Sequence, residues 1–334
     1  MLKAYIIDFK SISSPIRAYT LFGAFCWAYR LAYSEEELIK FLKQFKDNPK
    51  FLISSPFPIV KGYISEDNSR TLEEYYLFPK PILPLQKKFT KNQADICKKI
   101  ERKAYKKAKF ITQEILKDFL DGKITEEKQL IENTLYNINI HEKSIIYKAD
   151  NKIYFQSSSK SDLLTKNIIN RVTNTSDNLF TEECSYYDRQ FFLVKFFDKN
   201  FINKFNNTLK IIEQLGLGKN KNIGWGKITI TEDTQSKLDW LSEYIDNSNK
   251  FITLSPIIPK SGIDLKNSFY EFETYKSPIE NSLSKYILKQ KVLYLKEGSV
   301  ISSKTQGFKG QLKKIVKDYE IHQYGLEFPL KVQL

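Results

Sequence analysis

Between Ala18 and Tyr33 the chain reads AYTLFGAFCWAYRLAY. The spacing is helical, and apolar side chains fall on almost every side of it. Such a helix belongs deep in a core and not on a surface. The residues before it, MLKAYIIDFK, alternate apolar and polar, which marks a strand over Leu2–Phe9 and not an apolar leader. The loop SISSPIR joins the two. Elsewhere no apolar run approaches the ~18 residues that a membrane span needs, so the expectation is a soluble, cytoplasmic protein without a membrane role.

The segments that follow define the architecture. Ser34 and Glu37 form a capping box at the start of SEEELIKFLKQF, and Pro49 ends that helix. FLISSPFPIV and YYLFPKPILPL are extended and broken by prolines, which suits sheet edges and loops. A lysine-rich helix, NQADICKKIERKAYKKAKF, precedes a shorter one, TQEILKDFLDG, with Thr112 as N-cap and Gly122 as the stop. Strand-like residues occupy Ser144–Gln156. Leu163–Phe197 reads as a long hairpin with TNTSDN at its tip. The amphipathic helix NKFNNTLKIIEQLG then runs into a glycine-rich stretch and the strand KITITED.

This is the β-α-β-β-α-β order of a ferredoxin-like or RRM-like α+β fold. It spans residues 1–233, with a helical insertion at about 85–140 and a protruding hairpin. After Asp233 shorter strand patterns recur at FITLSPI, FYEFETY, KVLYLKEGSV and YGLEFPLKV. They are expected to form a smaller, degenerate ferredoxin-like domain over 234–334, with the boundary near Thr234–Leu241.

The net charge is +14 over 334 residues, which favours a polyanionic partner through counterion release. Only six of the 53 basic residues are arginine, namely Arg17, Arg30, Arg70, Arg102, Arg171 and Arg189. Lysine is thus the default cation, and each arginine marks a place where a stacked or bidentate contact is expected. Cys26, Cys97 and Cys184 are sparse and far apart, which argues against a disulfide framework or a metal-binding pair.

The stretch QLGLGKNKNIGWGKITI holds four of the twelve glycines, at 216, 218, 224 and 226. Dinucleotide-binding loops and P-loops leave a strand and open a helix, because the helix N-terminus receives the phosphate. This stretch runs from a helix into a strand, and Lys221 and Ile228 break the spacing of both motifs. What remains is close backbone approach to phosphate oxygens, with Gly216, Gly218, Gly224 and Gly226 removing Cβ atoms and Lys219, Lys221 and Lys227 adding charge. An ordinary turn with Gly216 as helix stop is the bland alternative. Trp225 is placed either to stack a base or to plug the core.

Two further candidates accompany it. Asn170, Arg171 and Thr173, with Phe180 beyond the tip, make a polar-aromatic end to the hairpin that can wedge and stack bases, or else an edge cover for the sheet. Ser14, Arg17 and Thr20 lie at a helix start, where free N–H groups attract an anion, or where they serve as caps. His141 and His322 stand alone, and no catalytic triad, paired-carboxylate or metal motif appears. No catalytic residue, metal or cofactor is therefore expected.

The N-terminal strand, SSPIRAYTLFGAFCWAY, NIINRVTNTSDNLF and GLGKNKNIGWGKITI, taken in order, resemble the RAMP superfamily of CRISPR proteins. FITLSPIIPK, LKEGSV and QYGLEFPL narrow the resemblance to the Csm-four, Cas-five-like subunits of type III-A (Csm) interference complexes. It is weakest over 85–140. The resemblance implies a non-catalytic subunit that holds the repeat-derived 5′ handle of crRNA. It implies docking to a large Cas-ten-type subunit and to a Csm-three-type backbone subunit, with target RNA near only at the handle junction. It also implies that the glycine loop is Gly216–Gly226, that residues 163–184 are a thumb with Arg171 near its working end, and that Ser14–Thr20 is the first loop. The alternative within the superfamily is an endoribonuclease processing precursor crRNA, with His141 or His322 as general base.

Overall fold

The computed structural model describes residues 1–64, 72–84, 105–132, 136–139, 145–148, 153–156, 159–246, 248–279, 288–316 and 319–333. The first half runs β1 (Leu2–Phe9), α1 (Ala18–Ala32), α2 (Glu35–Asp47), β2 (Phe51–Ile53), β3 (Phe57–Ile64), β4 (Leu72–Pro79), β5 (Phe110–Thr112) and α3 (Gln113–Leu120). It continues through α4 (Glu127–Glu132), β6 (Tyr136–Asn139), β7 (Ile145–Lys148), β8 (Ile153–Phe155), β9 (Ser159–Ile169), β10 (Ser176–Tyr187), β11 (Arg189–Phe196), α5 (Ile202–Leu215) and β12 (Ile228–Glu232). The last hundred residues add β13 (Lys250–Thr253), β14 (Phe272–Tyr275), β15 (Val292–Leu295), β16 (Val300–Ser302), β17 (Lys313–Lys314), β18 (His322–Gln323) and β19 (Pro329–Lys331).

The main sheet has the order β12-β1-β11-β3-β4-β5-β7-β6. Its first four strands are the ferredoxin-like set. β1 pairs antiparallel with both β11 and β12, and β11 pairs antiparallel with β3, so β1 and β3 run parallel with β11 between them. The α+β, ferredoxin-like expectation is met. One local expectation is not. The proline-broken segment 51–60 is no edge: Phe57–Ile59 pair with Arg189–Phe191 on one side, and Ile59 with Tyr76 on the other. Pro58 sits opposite Gln190 inside the sheet, where the burial of Phe57, Phe191 and Tyr76 outweighs one missing amide donor.

The reason for α1's apolar surface is its position. On one side Phe25 stacks on Phe205 of α5 (5.2 Å) and meets Phe51 of β2 edge-on (5.3 Å). On another, Tyr19 lies 5.2 Å from Tyr294 and Phe22 lies 4.9 Å from Tyr324, both in the C-terminal hundred residues. The Tyr324 hydroxyl in turn accepts the Ile53 amide at 3.0 Å. One hydrophobic core therefore runs from the first sheet through α1 into the C-terminal strands. That C-terminal region is strand-rich, with β13 between β16 and β19, and with 3-10 turns at Asp239–Glu243 and Leu265–Asn267. The proposed boundary at 234–241 falls against the first of these turns.

The second helix begins as its capping residues require: the Ser34 hydroxyl accepts the Glu37 amide at 3.2 Å. Thr112 is the backbone N-cap of α3 but makes no side-chain cap, and Gly122 follows with φ +76. Phe110, expected to end the lysine-rich helix, belongs instead with Ile111 and Thr112 to β5, which pairs with β4 and β7. Much of the lysine-rich helix expected at 92–110 lies outside the described residues, as do His141, Cys97, Arg70 and Arg102.

Phe25 is fully buried among six aromatic neighbours. Phe25→Ala is expected to cost ~3–5 kcal/mol of stability, read as a lower urea midpoint at unchanged slope.

Candidate nucleic-acid interface

Three separated stretches meet at one end of the ferredoxin-like sheet: the loop after β1, the base of the β9–β10 hairpin, and the glycine-rich loop between α5 and β12. Main-chain hydrogen bonds join them. Lys10 N–H donates to Lys227 O and Gly226 N–H to Ile12 O, each at 2.8 Å. Ser13 and Ser185 exchange two amide bonds of 2.9 Å, which fixes the hairpin base to the first loop. The hydroxyls of Ser11 and Ser14 accept the amides of Lys227 (2.9 Å) and Lys219 (3.3 Å). Serines in SISS thus act as struts for the glycine loop.

The four glycines do different work. Gly216 is the C-cap of α5 with φ +79. Leu217 N–H donates to Gly226 O at 2.8 Å, and the two backbones lie so close that a Cβ on Gly226 would stand 1.9 Å from Leu217 O. A Cβ on Gly218 would stand 2.6 Å from the Ser14 hydroxyl oxygen. Only Gly224 differs: its φ is +88, yet no atom lies within 4 Å of where a Cβ would be. Gly216, Gly218 and Gly226 close the loop on itself and on the first loop, whereas Gly224 is exposed and leaves backbone open to a ligand.

Trp225 is buried at 5% exposure, and the Lys166 ammonium lies 4.5 Å above its ring, with that of Lys219 at 5.9 Å. The indole therefore plugs the junction between loop and hairpin under two cations. Lys166 and Lys219 both pair with Glu182 of β10, Lys219 at 2.8 Å, and the Asn220 side-chain amide donates to the same carboxylate at 2.9 Å. Hydrogen bonds from Lys166 and then Lys219 pull the Glu182 carboxyl from its usual 4.5 down to about 2. Lys227 is exposed and Lys221 half-exposed on the same loop, the latter opening a 3-10 turn at Lys221–Ile223.

The hairpin stands away from the sheet as a two-stranded ribbon. Its ladder runs from Ser159↔Tyr187 to Ile169↔Ser176, so its base lies outside the expected limits of 163–184. The turn covers 170–175 and not TNTSDN. Asn170 shapes it by accepting the Val172 amide at 3.0 Å, and the Thr173 and Thr175 hydroxyls share a 2.7 Å bond. At Asp188 the chain leaves the ribbon, and Arg189–Phe196 belongs to the main sheet instead. Arg171 is exposed at the tip, five residues beyond Lys166, or roughly 17 Å at the strand rise. Phe180 (44% exposed) pairs across the ladder with Lys166, on the face that carries Glu182. Val172 (93%) and Leu179 (77%) expose apolar surface that a solitary hairpin cannot bury.

Arg17 and Thr20 are placed differently. The start of α1 already holds an anion: Ser55 accepts the Ala18 amide at 3.0 Å and donates to Glu297. Arg17 pairs with Glu297 and, at 3.3 Å, with Glu273. Among the site residues expected from the sequence, Arg17 thus reaches into the C-terminal strands, and Thr20 lies one turn into the helix beside it. His322 lies on β18, its Nδ1 3.3 Å from Glu320 O, and burial lowers its pKa.

The family model of the RAMP superfamily matches residues 10–229, from the first loop to the strand after the glycine loop, and the chain belongs to this superfamily. In fold it is similar to a chain of a Csm3–Csm4 subcomplex from the type III-A CRISPR–Cas interference complex, at 21% identity and a TM-score of 0.64, over 99% of this chain and 100% of that one. It is also similar to a chain of a Csm1–Csm4 cassette in complex with pppApA, at 16% identity and a TM-score of 0.56, over 100% and 99% of the two chains. No curated protein matches it.

Two outcomes test the loop geometry. Gly226→Ala should destabilise the protein by more than Gly224→Ala, since both break a positive φ but only the first meets backbone atoms. Thermal unfolding of the two variants checks this. Glu182's depressed pKa means that its tie to the loop is complete above about 4.5 and is lost as pH falls towards about 2. A carboxyl-carbon NMR titration of Glu182 should therefore centre well below 4.5.

Proposed function

We propose that this chain is a non-catalytic subunit of a type III-A CRISPR effector complex, one that holds the repeat-derived 5′ handle of crRNA. In this reading it caps the complex beside a large Cas-ten-type subunit and contacts a Csm-three-type backbone subunit. The observation that carries the reading is the junction itself. An open backbone at Gly224, the lysines of the glycine loop, and the Lys166–Phe180 face of the hairpin all border one surface. Single-stranded RNA is held by such a combination of backbone contacts, cations and stacking, without acid–base groups. The RAMP membership and the likeness in fold to Csm4-containing structures support the same conclusion.

The division of work follows from position. Lys219, Lys221 and Lys227 neighbour phosphates, with Gly216, Gly218 and Gly226 letting the loop pack on itself and on the first loop beneath them. Ser14 keeps that loop in place. The tip, with Asn170, Arg171 and Thr173, reaches along the RNA towards the spacer, and Phe180 stacks on a base. Trp225 supports the loop from beneath.

Gly224→Glu places a carboxylate at the open backbone, and Arg171→Ala removes the tip cation. Each should weaken binding of a repeat-derived 5′-handle RNA about tenfold, or ~1–2 kcal/mol, with unchanged thermal stability for Arg171→Ala. Fluorescence anisotropy checks this; wild-type affinity in both variants would remove the site from this surface. In the free protein, amides of 163–184 should exchange faster than those of β1 and β11, because the ribbon is a two-stranded sheet whereas β1 and β11 lie inside the main sheet. Incubation of the purified protein with repeat RNA tests the enzymatic alternative. Cleavage that His141→Ala or His322→Ala abolishes would replace the structural role with a nuclease one.

A further inference from the structure

We propose that Glu182 is an internal stand-in for an RNA phosphate: it occupies the lysine pair at the hairpin base and makes RNA compete for it. This rests on the RNA-binding reading above. Three donors from two elements converge on one carboxylate. Lys166 comes from the hairpin itself; Lys219 and Asn220 come from the glycine loop. The set resembles what a phosphate's two free oxygens accept from cations and an amide. Its place is equally specific, since both lysines also cover Trp225, next to the open backbone of Gly224.

The arrangement has two consequences. While Glu182 is in place, it cancels one of the two positive charges that Lys166 and Lys219 would otherwise offer to an approaching polyanion. A phosphate that enters beside Gly224 gains them only when the carboxylate turns away, and like-charge repulsion drives it out. The Glu182 side chain is 18% exposed at the ribbon's edge, so water can receive it. RNA that makes further contacts along the hairpin and loop opens the latch, whereas RNA that offers only phosphates gains less. Glu182 thus acts as a specificity element of the repulsive kind.

The experiment compares the full-length wild type with Glu182→Gln. Two labelled single-stranded RNAs of equal length are used, one repeat-derived and one shuffled, each over a salt series. Because one negative charge is removed, Glu182→Gln is expected to bind the shuffled RNA about fivefold tighter at 0.1 M salt, with a log–log salt slope steeper by about 0.7. Preference for the repeat-derived RNA should fall, and adding Lys166→Ala should reverse part of the gain. An unchanged slope, or weaker binding of both RNAs, overturns the proposal and makes Glu182 a scaffold for the lysines. Failure of wild type and variant alike to bind either RNA overturns the RNA reading itself. Amide exchange in the absence of RNA separates the two failures. Faster exchange over 176–187 and 218–226 in Glu182→Gln is expected, and unchanged exchange overturns the latch.

Discussion

Burial of α1 on both sides is the constraint on which the rest of the molecule depends. A helix with an apolar stripe needs one layer, but one that is apolar almost all round needs two. The sheet, α2 and α5 cover one side through Phe51, Phe41 and Phe205, all packed on Phe25; Tyr294 and Tyr324 cover the other. Neither half of the chain can therefore complete its core alone. The start of the helix shows the same economy. Its free amides attract an anion, and the anion is Glu297, delivered from the C-terminal strands through Ser55. Arg17 closes the arrangement from outside.

This frame explains why the candidate site sits where it does. The ferredoxin-like sheet has its loops at one end, where β1 hands over to α1 and α5 to β12. Those loops are tied to each other through main chain, from Lys10–Lys227 to Ser13–Ser185. The hairpin is tied at its base in the same way. Beyond Lys166 and Glu182 its sheet is two-stranded, and Val172 and Leu179 are exposed among the described residues. In the proposed role, such a cradle and arm would give an RNA chain one end that is positioned and one that adapts.

Much of the frame was legible in the sequence, because helix and strand periods are local. Leu2–Phe9, Ala18–Ala32 and the amphipathic helix ending at Gly216 appear almost where their patterns place them. What was not legible depends on register and tertiary contact. Pro58 reads as an edge residue, but aromatic burial draws it inside the sheet. The hairpin tip reads as TNTSDN, a few residues too late. That shift sets Lys166 opposite Ser185, on the other face from Glu182, and conceals the diagonal pairing that the true register creates. Arg17 reads as an anion-binding residue, since nothing local announces that acids some 260–280 positions away will pair with it.

Glycine and lysine counts raise the same issue in another form. Four glycines in a short loop suggest four places where backbone meets ligand, yet three of them meet the protein's own atoms. Likewise a charge of +14 suggests many free cations, yet Lys166 and Lys219 share one carboxylate. A residue type shows what a position permits, and only its neighbours show whether that permission is already used. Gly224 on the loop and Glu182 against it are opposite in this respect. One leaves room that nothing in the described chain fills, and the other fills a place suited to a phosphate. If the proposal holds, RNA binding by such a surface is governed less by how many cations it carries than by which of them its own acids release.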